Sequence, residues 1–565
     1  MSRAAAGLAL VFLAASPRPK PAREPAADLI LAHARVYTVD PDHPWAEEIA
    51  IRGDRIVAVG KAGEAEKFRG PLTRVIDAGG RLVLPGMEDS HVHFVSGGRT
   101  LGWLDLSETR TVPEVQERIR AWSRTHPKEP WVRGFGWVYT TFPGGLPDRR
   151  ILDAAVPDRP ALMSCADGHT FWVNSRALAA AGIDRTTPDP PNGAIRHGAD
   201  GEPTGVLDEE ALYLIRPLIA PPTRAELLAG MRKGLAEAAR MGVVRMHSLG
   251  GDFEHLDLFE ELRREKALTA RFDVAPFIDP PAMTHAQGKE LREARSLHHD
   301  DFLAVDGAKL MLDGVIDAYT GAMLEPYADR PDTKGKLFWD PKAYVETVVA
   351  LDREGFQVST HAIGDAAIRL ALDAIEAAAR ANGKRDRRDK IEHVEAVAAS
   401  DLSRFGSLGV VASMQPLQTN PDPSWIGSWI PHVGPEREQR AHAWKTLAKN
   451  GARLAFGSDW PVVSMSPWRG IQIAVTRQDF RGNPPGGWVP TERVTLAQAI
   501  EAYTLGAAWA VHRDRDEGSI APGKLADLIV VSPNVFEADP HALAATKVLL
   551  TMVGGRVVHD DLTSR

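Results

Sequence analysis

Short runs of alternating apolar and polar residues occur near both ends of the chain. Residues 28–84 contain "DLILAHARVYTVD", "EEIAIRGDRIVAVG" and "TRVIDAGGRLVLPG", and the far end contains "GKLADLIVVS" and "VLLTMVGGRVVHD". Alternation with a period of two, interrupted by turn residues, predicts strands and hairpins. We therefore predict one small composite β-sandwich domain that is built from residues 28–84 and 515–565.

Between these ends, eight strand-like runs are separated by stretches with helical periodicity. The runs are 90–94, 242–249, 270–278, 304–312, 356–363, 390–396, 409–416 and 452–459. Stretches such as "RAELLAGMRKGLAEAARM" and "AAIRLALDAIEAAARANG" repeat apolar residues every three or four positions, which is typical of amphipathic helices. The fold class predicted is α/β, with a (β/α)₈ TIM barrel over residues 85–514 whose chemistry lies at the carboxyl ends of its strands.

The first and second predicted barrel strands are too far apart for an ordinary connection. Residues 95–225 contain "PWVRGFGWVYT" and "DGHTFWVNS", and they predict an inserted subdomain. An insertion at the catalytic end of a barrel is placed to form a lid or a substrate wall. Its many aromatic residues fit a second reading equally well, in which they form a core of its own.

Composition narrows the class of partner. The chain has 565 residues, of which 44% are hydrophobic and 25% charged, which suits a large enzyme domain with a satellite. A net charge of -8 shows no basic excess, so a small-molecule substrate is expected instead of nucleic acid. No apolar window long enough to span a membrane occurs beyond the N-terminus. The single cysteine, Cys165, rules out an internal disulfide, and a homodimer is one option for the assembly.

The first 27 residues have the layout of a signal peptide followed by a Pro-rich leader. Arg3 precedes an apolar run over residues 4–15, and a tract rich in proline follows. This layout predicts export to the periplasm or the medium, and a cytoplasmic protein with an N-terminal extension is the alternative.

Several metal-ligating side chains lie in or at the end of the predicted barrel strands. Residues two apart in a strand point to the same face, so the two histidines of "HVH" would project together. A lysine inside the apolar run "GAKLML" is also unusual, because a buried ammonium is costly unless it is paired or modified. Taken singly, such histidines could be hydrogen-bonded core residues and the aspartate of "GSDWP" a turn residue. The candidates that converge on one barrel mouth are His91, His93, Lys309, His361, His393 and Asp459.

The order of the motifs resembles a known family. "HVH", "AKLMLDG", "HAIGDAA", "IEHVE", "MQP" and "GSDWPV", followed by "AYTLGAA" and "GSIAPGKLADLIVV", resemble the amidohydrolase superfamily. The match is specifically to family 3, the YtcJ-like branch, which includes N-substituted formamide deformylases. It extends from about residue 28 and includes the insertion motifs "DGHTFWVNS" and "DGEPTGVL".

The resemblance implies a binuclear metal centre and a hydrolase acting on carbon–nitrogen bonds other than peptide bonds (EC 3.5). It implies that His91 and His93 hold one divalent ion together with Asp459, and that His361 and His393 hold the second. A carbamate on Lys309 would bridge the two ions, for which zinc is the preferred metal. A metal-bridging hydroxide would attack an amide or formamide-type carbonyl, with Asp459 as the catalytic proton carrier.

Substrate contacts are expected from residues near the same mouth. His247 lies in the second predicted barrel strand, and Asp167, His169 and Trp172 lie in the insertion. Several relatives carry histidine where this chain has Gln418, which can form hydrogen bonds but cannot titrate. Three other functions stay open: a cyclic amide or imidazolone hydrolase, a deaminase with one metal ion on the same barrel, and a non-catalytic binding paralogue.

Overall fold

The computed structural model describes residues 25–251 and 255–562. Almost all of the predicted leader, residues 1–24, lies outside this range, so the predicted export signal stays a prediction. Within the described residues, no helix combines the length and the apolar character that crossing a membrane requires.

Strands from both ends of the chain pair in the same sheet. One sheet has the order β5-β4-β1-β6 and the other the order β25-β24-β23-β7-β2-β3, so that the C-terminal β23 pairs directly with the N-terminal β7. Apolar side chains of both sheets share one hydrophobic cluster, which includes Leu31, Ile49, Val530 and Leu550. The ten strands are β1 Leu29–Ala32, β2 Arg35–Tyr37, β3 Trp45–Ala46, β4 Glu48–Arg52, β5 Arg55–Gly60, β6 Arg74–Asp77, β7 Leu82–Pro85, β23 Leu528–Ser532, β24 Lys547–Val553 and β25 Arg556–Asp560.

The eight predicted central strands are all present, and a short ninth strand accompanies them. They form two parallel sheets, in the orders β17-β16-β15-β8 and β18-β19-β20-β21-β22. The strands are β8 Met87–Val92, β15 Val243–Leu249, β16 Arg271–Ala275, β17 Leu303–Ala304, β18 Gly307–Met311, β19 Gln357–Ala362, β20 Lys390–His393, β21 Val411–Met414 and β22 Arg453–Phe456.

The strands of the predicted barrel are therefore not joined by regular hydrogen-bonded pairing all the way round. At both junctions between the two sheets, regular pairing is replaced by isolated parallel bridges, Val92 with Trp460 and Phe277 with Lys309. The backbone N–H of Asp459 donates to the carbonyl oxygen of His91 at 2.7 Å, just beyond the end of β22. These contacts hold the edges of the two sheets together at the carboxyl ends of their strands.

Helices cover the outside of the two parallel sheets. In α5, a capping box of Thr223 and Glu226 starts the helix, Gly242 ends it in the left-handed region, and Met231 and Leu235 are buried. The helices of this layer are α1 Phe94–Thr100, α5 Arg224–Met241, α6 Leu256–Arg264, α7 His285–Leu297, α8 Pro341–Arg353, α9 Asp365–Asn382, α10 Leu402–Leu408, α12 Trp444–Lys449, α13 Pro467–Thr476, α14 Leu496–Ala502 and α15 Leu505–Ala510. One more helix, α11 Pro423–Glu438, packs instead against residues 139–141 of the insertion.

The predicted insertion has a six-stranded sheet of its own, in the order β13-β14-β12-β11-β10-β9. Its core contains Trp137, Phe142 and Trp172, which are all buried. Its elements are β9 Leu104–Asp105, α2 Val112–Thr125, β10 Val132–Trp137, α3 Arg149–Ala155, β11 Ala161–Cys165, β12 Thr170–Val173, α4 Ser175–Ala181, β13 Gly193–His197 and β14 Pro203–Glu209.

Candidate metal centre

Two histidines and one aspartate meet where β8 and β22 end. The Nε2 atoms of His91 and His93 lie 3.4 and 3.1 Å from Oδ1 of Asp459. One ligand atom from each of the three residues lies within 4.8 Å of the others, a spacing that fits a single metal ion. The positions expected from the strand pattern are therefore close together in space.

Two further imidazoles extend this group across the carboxyl ends of β19 and β20. The ring of His393 lies 5.0 Å from that of His91, and the ring of His361 lies 4.5 Å from that of His393. His393 has a positive φ of 73° and Asp459 a positive φ of 61°. Such left-handed backbone is costly for residues other than glycine and is concentrated at functional sites.

Hydrogen bonds fix the orientation of three of these rings. Nδ1 of His91 lies 3.0 Å from a carboxylate oxygen of Glu392, and Nδ1 of His93 lies 2.7 Å from the carbonyl oxygen at the end of β15. Nε2 of His361 lies 3.2 Å from a carbonyl oxygen in the loop after β18. Because one nitrogen of each ring faces an acceptor, the other is left with a lone pair, as metal-binding histidines require.

Four buried polar atoms of the cluster have no hydrogen-bond partner among the described residues. They are Nε2 of His91, Nζ of Lys309, Nδ1 of His393 and Oδ1 of Asp459. Buried polar atoms are normally paired, so a concentration of unpaired ligand atoms in one place calls for a bound group. Imidazole nitrogens and carboxylate oxygens are ligands that divalent metals such as zinc prefer, and the donor set therefore fits a metal ion.

Lys309 lies in the interior of β18 and is only 2% exposed. Burial lowers the pKa of Lys309 to about 8, although the negative charges of Glu392 and Asp459 oppose this effect. A substantial neutral fraction at neutral to mildly alkaline pH makes the amine nucleophilic.

The charges around Asp459 keep its carboxyl group ionised. Burial alone would raise its pKa, but the adjacent imidazoles of His91 and His93 outweigh burial and lower the pKa of Asp459 to about 2. The amide Nε2 of Gln418 also donates to Oδ2 of Asp459 at 2.8 Å. Gln418, expected to contact substrate, therefore holds Asp459 in position.

Two buried carboxylates that the sequence reasoning missed support the cluster. Asp89 accepts hydrogen bonds from the backbone N–H groups of His91 at 3.2 Å and Ser458 at 2.8 Å, which ties the end of β8 to the segment after β22. Asp313 accepts from the backbone N–H groups of Ile363 and Gly364 at 3.0 and 2.9 Å, just beyond His361. The acidic pair before "HVH" and the aspartate of "MLDG" were the only sequence signals of these roles.

The insertion contributes two of the predicted substrate contacts to the mouth of the cluster. The ring of His169 lies 5.4 Å from that of His361, and its backbone N–H donates to Asp167 at 2.9 Å. Burial would lower the pKa of His169, but the carboxylate of Glu209, 3.0 Å away, outweighs burial and raises the pKa to about 9. The carboxylate of Glu209 therefore favours the protonated form of the His169 imidazole.

The structure does not bring Trp172 or His247 to this mouth. Trp172 is fully buried in the insertion core, with its ring 5.3 Å from that of Phe142, because alternate residues of β12 face inward. The imidazole Nδ1 of His247 lies 3.4 Å from Nζ of Lys390, and His247 lines a separate cavity of about 240 Å³. Both placements fit a structural role better than the expected contact with substrate.

A cavity of about 70 Å³ adjoins the candidate ligands. Its wall includes Asp317 and Glu395, which follow β18 and β20, together with Trp429 and His442. Burial raises the pKa of Asp317 to about 7 and that of Glu395 to about 8. None of these four residues was expected from the sequence, because Asp317, Glu395 and His442 lie in connections and Trp429 in α11, and the placement of all four at the cavity depends on the tertiary fold.

Comparisons with known proteins agree with this geometry. A family model described as an amidohydrolase family matches residues 74–559. The protein LONG AFTER FAR-RED 3 of Arabidopsis thaliana is 32% identical over 94% of this chain and 92% of its own length. The N-substituted formamide deformylase of Arthrobacter pascens is 27% identical over 94% of this chain and 97% of its own length.

A solved structure shares the fold over nearly the same extent. An uncharacterised metal-dependent hydrolase from Pyrococcus furiosus superposes with a TM-score of 0.68 and 26% sequence identity. The match covers 91% of this chain and 99% of that protein. The family resemblance that the motifs indicated is thus confirmed.

Proposed function

Because the chain belongs to the amidohydrolase family, whose members are metal-dependent hydrolases, we propose that it hydrolyses a carbon–nitrogen bond of the amide or formamide type in a small molecule (EC 3.5). One water is consumed, the C–N bond breaks, and a carboxylic acid and an amine are formed. The observation that carries the proposal is the cluster of buried, unpartnered ligand atoms between β8, β18, β20 and β22.

The assignment of ligands follows the positions of the side chains. His91, His93 and Asp459 would hold one divalent ion, since their ligand atoms already converge. His361 and His393 would hold a second, and Lys309, as a carbamate, would contribute to the ligand set. When bound, such ions would acidify water and polarise a substrate carbonyl.

Residues of the chain would accept the proton of the attacking water and donate it to the departing nitrogen. Asp459 is ionised at neutral pH and faces the two histidines, so its carboxylate can accept a proton from the attacking water. Gln418 donates to the other carboxylate oxygen and so keeps Oδ1 directed at the ligand cluster. The same carboxyl group would then deliver the proton to the departing nitrogen. His169 and Asp167, brought by the insertion, would limit the approach of water and substrate.

The proposal is tested by turnover of N-formyl and N-acyl amines with zinc-loaded protein, with the metal content measured on the same sample. Asp459→Asn should slow turnover by on the order of 10² to 10⁴, because an amide can coordinate metal but cannot carry the proton. Asp158→Asn, a change at an exposed position of the insertion, is the control. Near-normal turnover of Asp459→Asn would exclude this role, and a fully metal-loaded protein that cleaves no member of the panel would exclude the reaction class.

A further inference from the structure

Three carboxylates line the cavity beside the candidate ligands, and each is held by a neutral donor. The hydroxyl of Tyr139 donates to Asp167 at 2.6 Å, and Nε1 of Trp429 donates to Glu395 at 2.7 Å. The hydroxyl of a serine in α11 donates to Asp317. Among the described residues, none of the three carboxylates forms a salt bridge with a lysine, arginine or histidine. None of the three carboxylates therefore has a cationic side chain from the described part of the chain bound directly to it.

An independent feature of the same wall also calls for a ligand. His442 is only 6% exposed, and its ring lies 5.8 Å from that of Trp429 and 6.0 Å from that of Trp488. No described residue forms a hydrogen bond with either of its ring nitrogens, and burial holds its pKa well below the usual range. A neutral, buried imidazole on a cavity wall offers one donor and one acceptor to a bound molecule.

The chemistry of this wall suits an ammonium group. Carboxylates bind alkylammonium ions through charge-assisted hydrogen bonds, and an indole face attracts a cation or packs on its alkyl chain. Asp317 and Glu395 line the same cavity, so that one ammonium group can lie against both carboxylates. The small volume favours a short, unbranched chain.

We propose that the substrate of this hydrolase carries a protonated amine, and that Asp317 and Glu395 bind it in the cavity beside the candidate metal ligands. The substrate class is then an N-acyl or N-formyl derivative of a short aliphatic diamine. Asp167 closes the cavity from the insertion, and His442 donates to or accepts from the polar groups of the bound molecule. This inference rests on the proposed amide hydrolysis and adds the feature of the substrate that the site selects.

The test compares two substrates that differ only in charge. N-formyl-1,4-diaminobutane and N-formylpentylamine have chains of equal length, with an ammonium or a methyl group at the end. We expect kcat/KM of the zinc-loaded wild type to be at least about tenfold higher for the charged substrate, because an ionised partner strengthens hydrogen bonds to carboxylates. Equal values for the two substrates would overturn the inference while leaving the proposed reaction intact.

Variants assign the preference to the cavity. Asp317→Asn should bring the ratio of the two kcat/KM values close to 1, and Asp317→Glu should retain part of the preference. Asp332→Asn, which removes a carboxylate that pairs with Arg330 at the surface of the same connection, should leave the ratio unchanged. An unchanged ratio in Asp317→Asn would overturn the assignment. If Asp317→Asn does not fold, the ratio of the two kcat/KM values measured with the wild type still tests the inference.

A binding measurement separates the inference from the proposed reaction. If neither substrate is cleaved, the proposed reaction fails, and calorimetry with 1,4-diaminobutane and 1,4-butanediol tests the cavity by itself. The diamine should bind at least about tenfold more tightly than the diol, and Asp317→Asn should remove the difference. Binding of the diamine that is equal in wild type and Asp317→Asn would place it elsewhere and overturn the inference.

Discussion

The two buried lysines of the central sheets illustrate how differently an amine can be accommodated. Nζ of Lys390 donates to the carbonyl oxygen of Ser90 at 2.8 Å and lies 3.2 Å from a carboxylate oxygen of Glu392. Nζ of Lys309 has no hydrogen-bond partner among the residues described. An ammonium beside metal ions would be repelled, whereas a carbamate adds two ligand oxygens and a negative charge. The proposed carbamate would account for a buried Nζ of Lys309 that has no partner among the described residues.

Lys309→Ala tests this explanation at the residue scale. We expect the variant to bind clearly less than two metal ions per chain and to be nearly inactive, because the proposed bridging ligand could not form. Short-chain carboxylic acids should restore part of the activity by occupying the space of the carbamate. Metal analysis and turnover with and without added acid are the measurements, and Lys289→Ala, at an exposed helix position, is the control.

Two outcomes would contradict this explanation. One is a Lys309→Ala variant that holds two metal ions and retains normal turnover. The other is electron density for an unmodified Lys309 amine in a fully loaded, active enzyme, which would favour the reading with one metal ion.

Among the elements, the insertion combines its own core with a contribution to the site. Trp172 of β12 is fully buried beside Phe142, whereas His169, just before the same strand, reaches the ligand cluster. The stability of this core therefore determines how firmly the loop with Asp167 and His169 is held. Aromatic residues at a predicted lid are thus not evidence of substrate contact by themselves.

Trp172→Ala should destabilise the insertion by about 3–5 kcal/mol, the usual cost of a cavity left by a large aromatic residue. Hydrogen exchange over residues 104–209 should increase, while metal content stays the same because no candidate ligand lies in this segment. Tyr213→Ala, at an exposed position beyond the insertion sheet, is the control. Loss of metal with unchanged exchange would show that the insertion supports the centre directly.

The pattern of apolar residues was sufficient to predict the central strands, and the candidate ligands lie in these strands or just after them. All eight strand-like runs form strands, and the candidates at their ends converge, because parallel strands present their carboxyl ends at one edge. The partners of those ligands were not predictable in the same way. Glu392 orients His91 across 301 positions of sequence, and Gln418 holds Asp459 across 41. Such pairs depend on the relative placement of strands, which local periodicity does not specify.

On the scale of the whole molecule, buried ion pairs join the central sheets to the C-terminal part of the chain. The guanidinium of Arg271 in β16 binds both oxygens of Asp527, at 2.6 and 3.1 Å, and both residues are buried. Arg245 in β15 binds Glu517 in the same two-pronged manner, with both distances at 2.6 Å. These pairs fix the C-terminal part of the chain against β15 and β16, which belong to the same parallel sheet as β8.

The buried ion pair of Arg271 and Asp527 gives a prediction about the contact between the central sheets and the C-terminal part of the chain. Asp527→Ala should lower the free energy of unfolding by about 3–5 kcal/mol, because it leaves a buried guanidinium without its partner. Replacing both residues, as in Arg271→Met with Asp527→Ala, should recover much of that loss, since no unpaired charge then remains. Glu237→Ala, which removes an exposed helix pair with Arg240, should cost no more than about 1 kcal/mol. Unfolding of the four variants in guanidinium chloride gives their free energies of unfolding. The single variant Arg271→Met completes the double-mutant cycle, which measures the coupling energy between Arg271 and Asp527. A double variant no more stable than Asp527→Ala would mean that the pair acts through local packing and not through the buried charge.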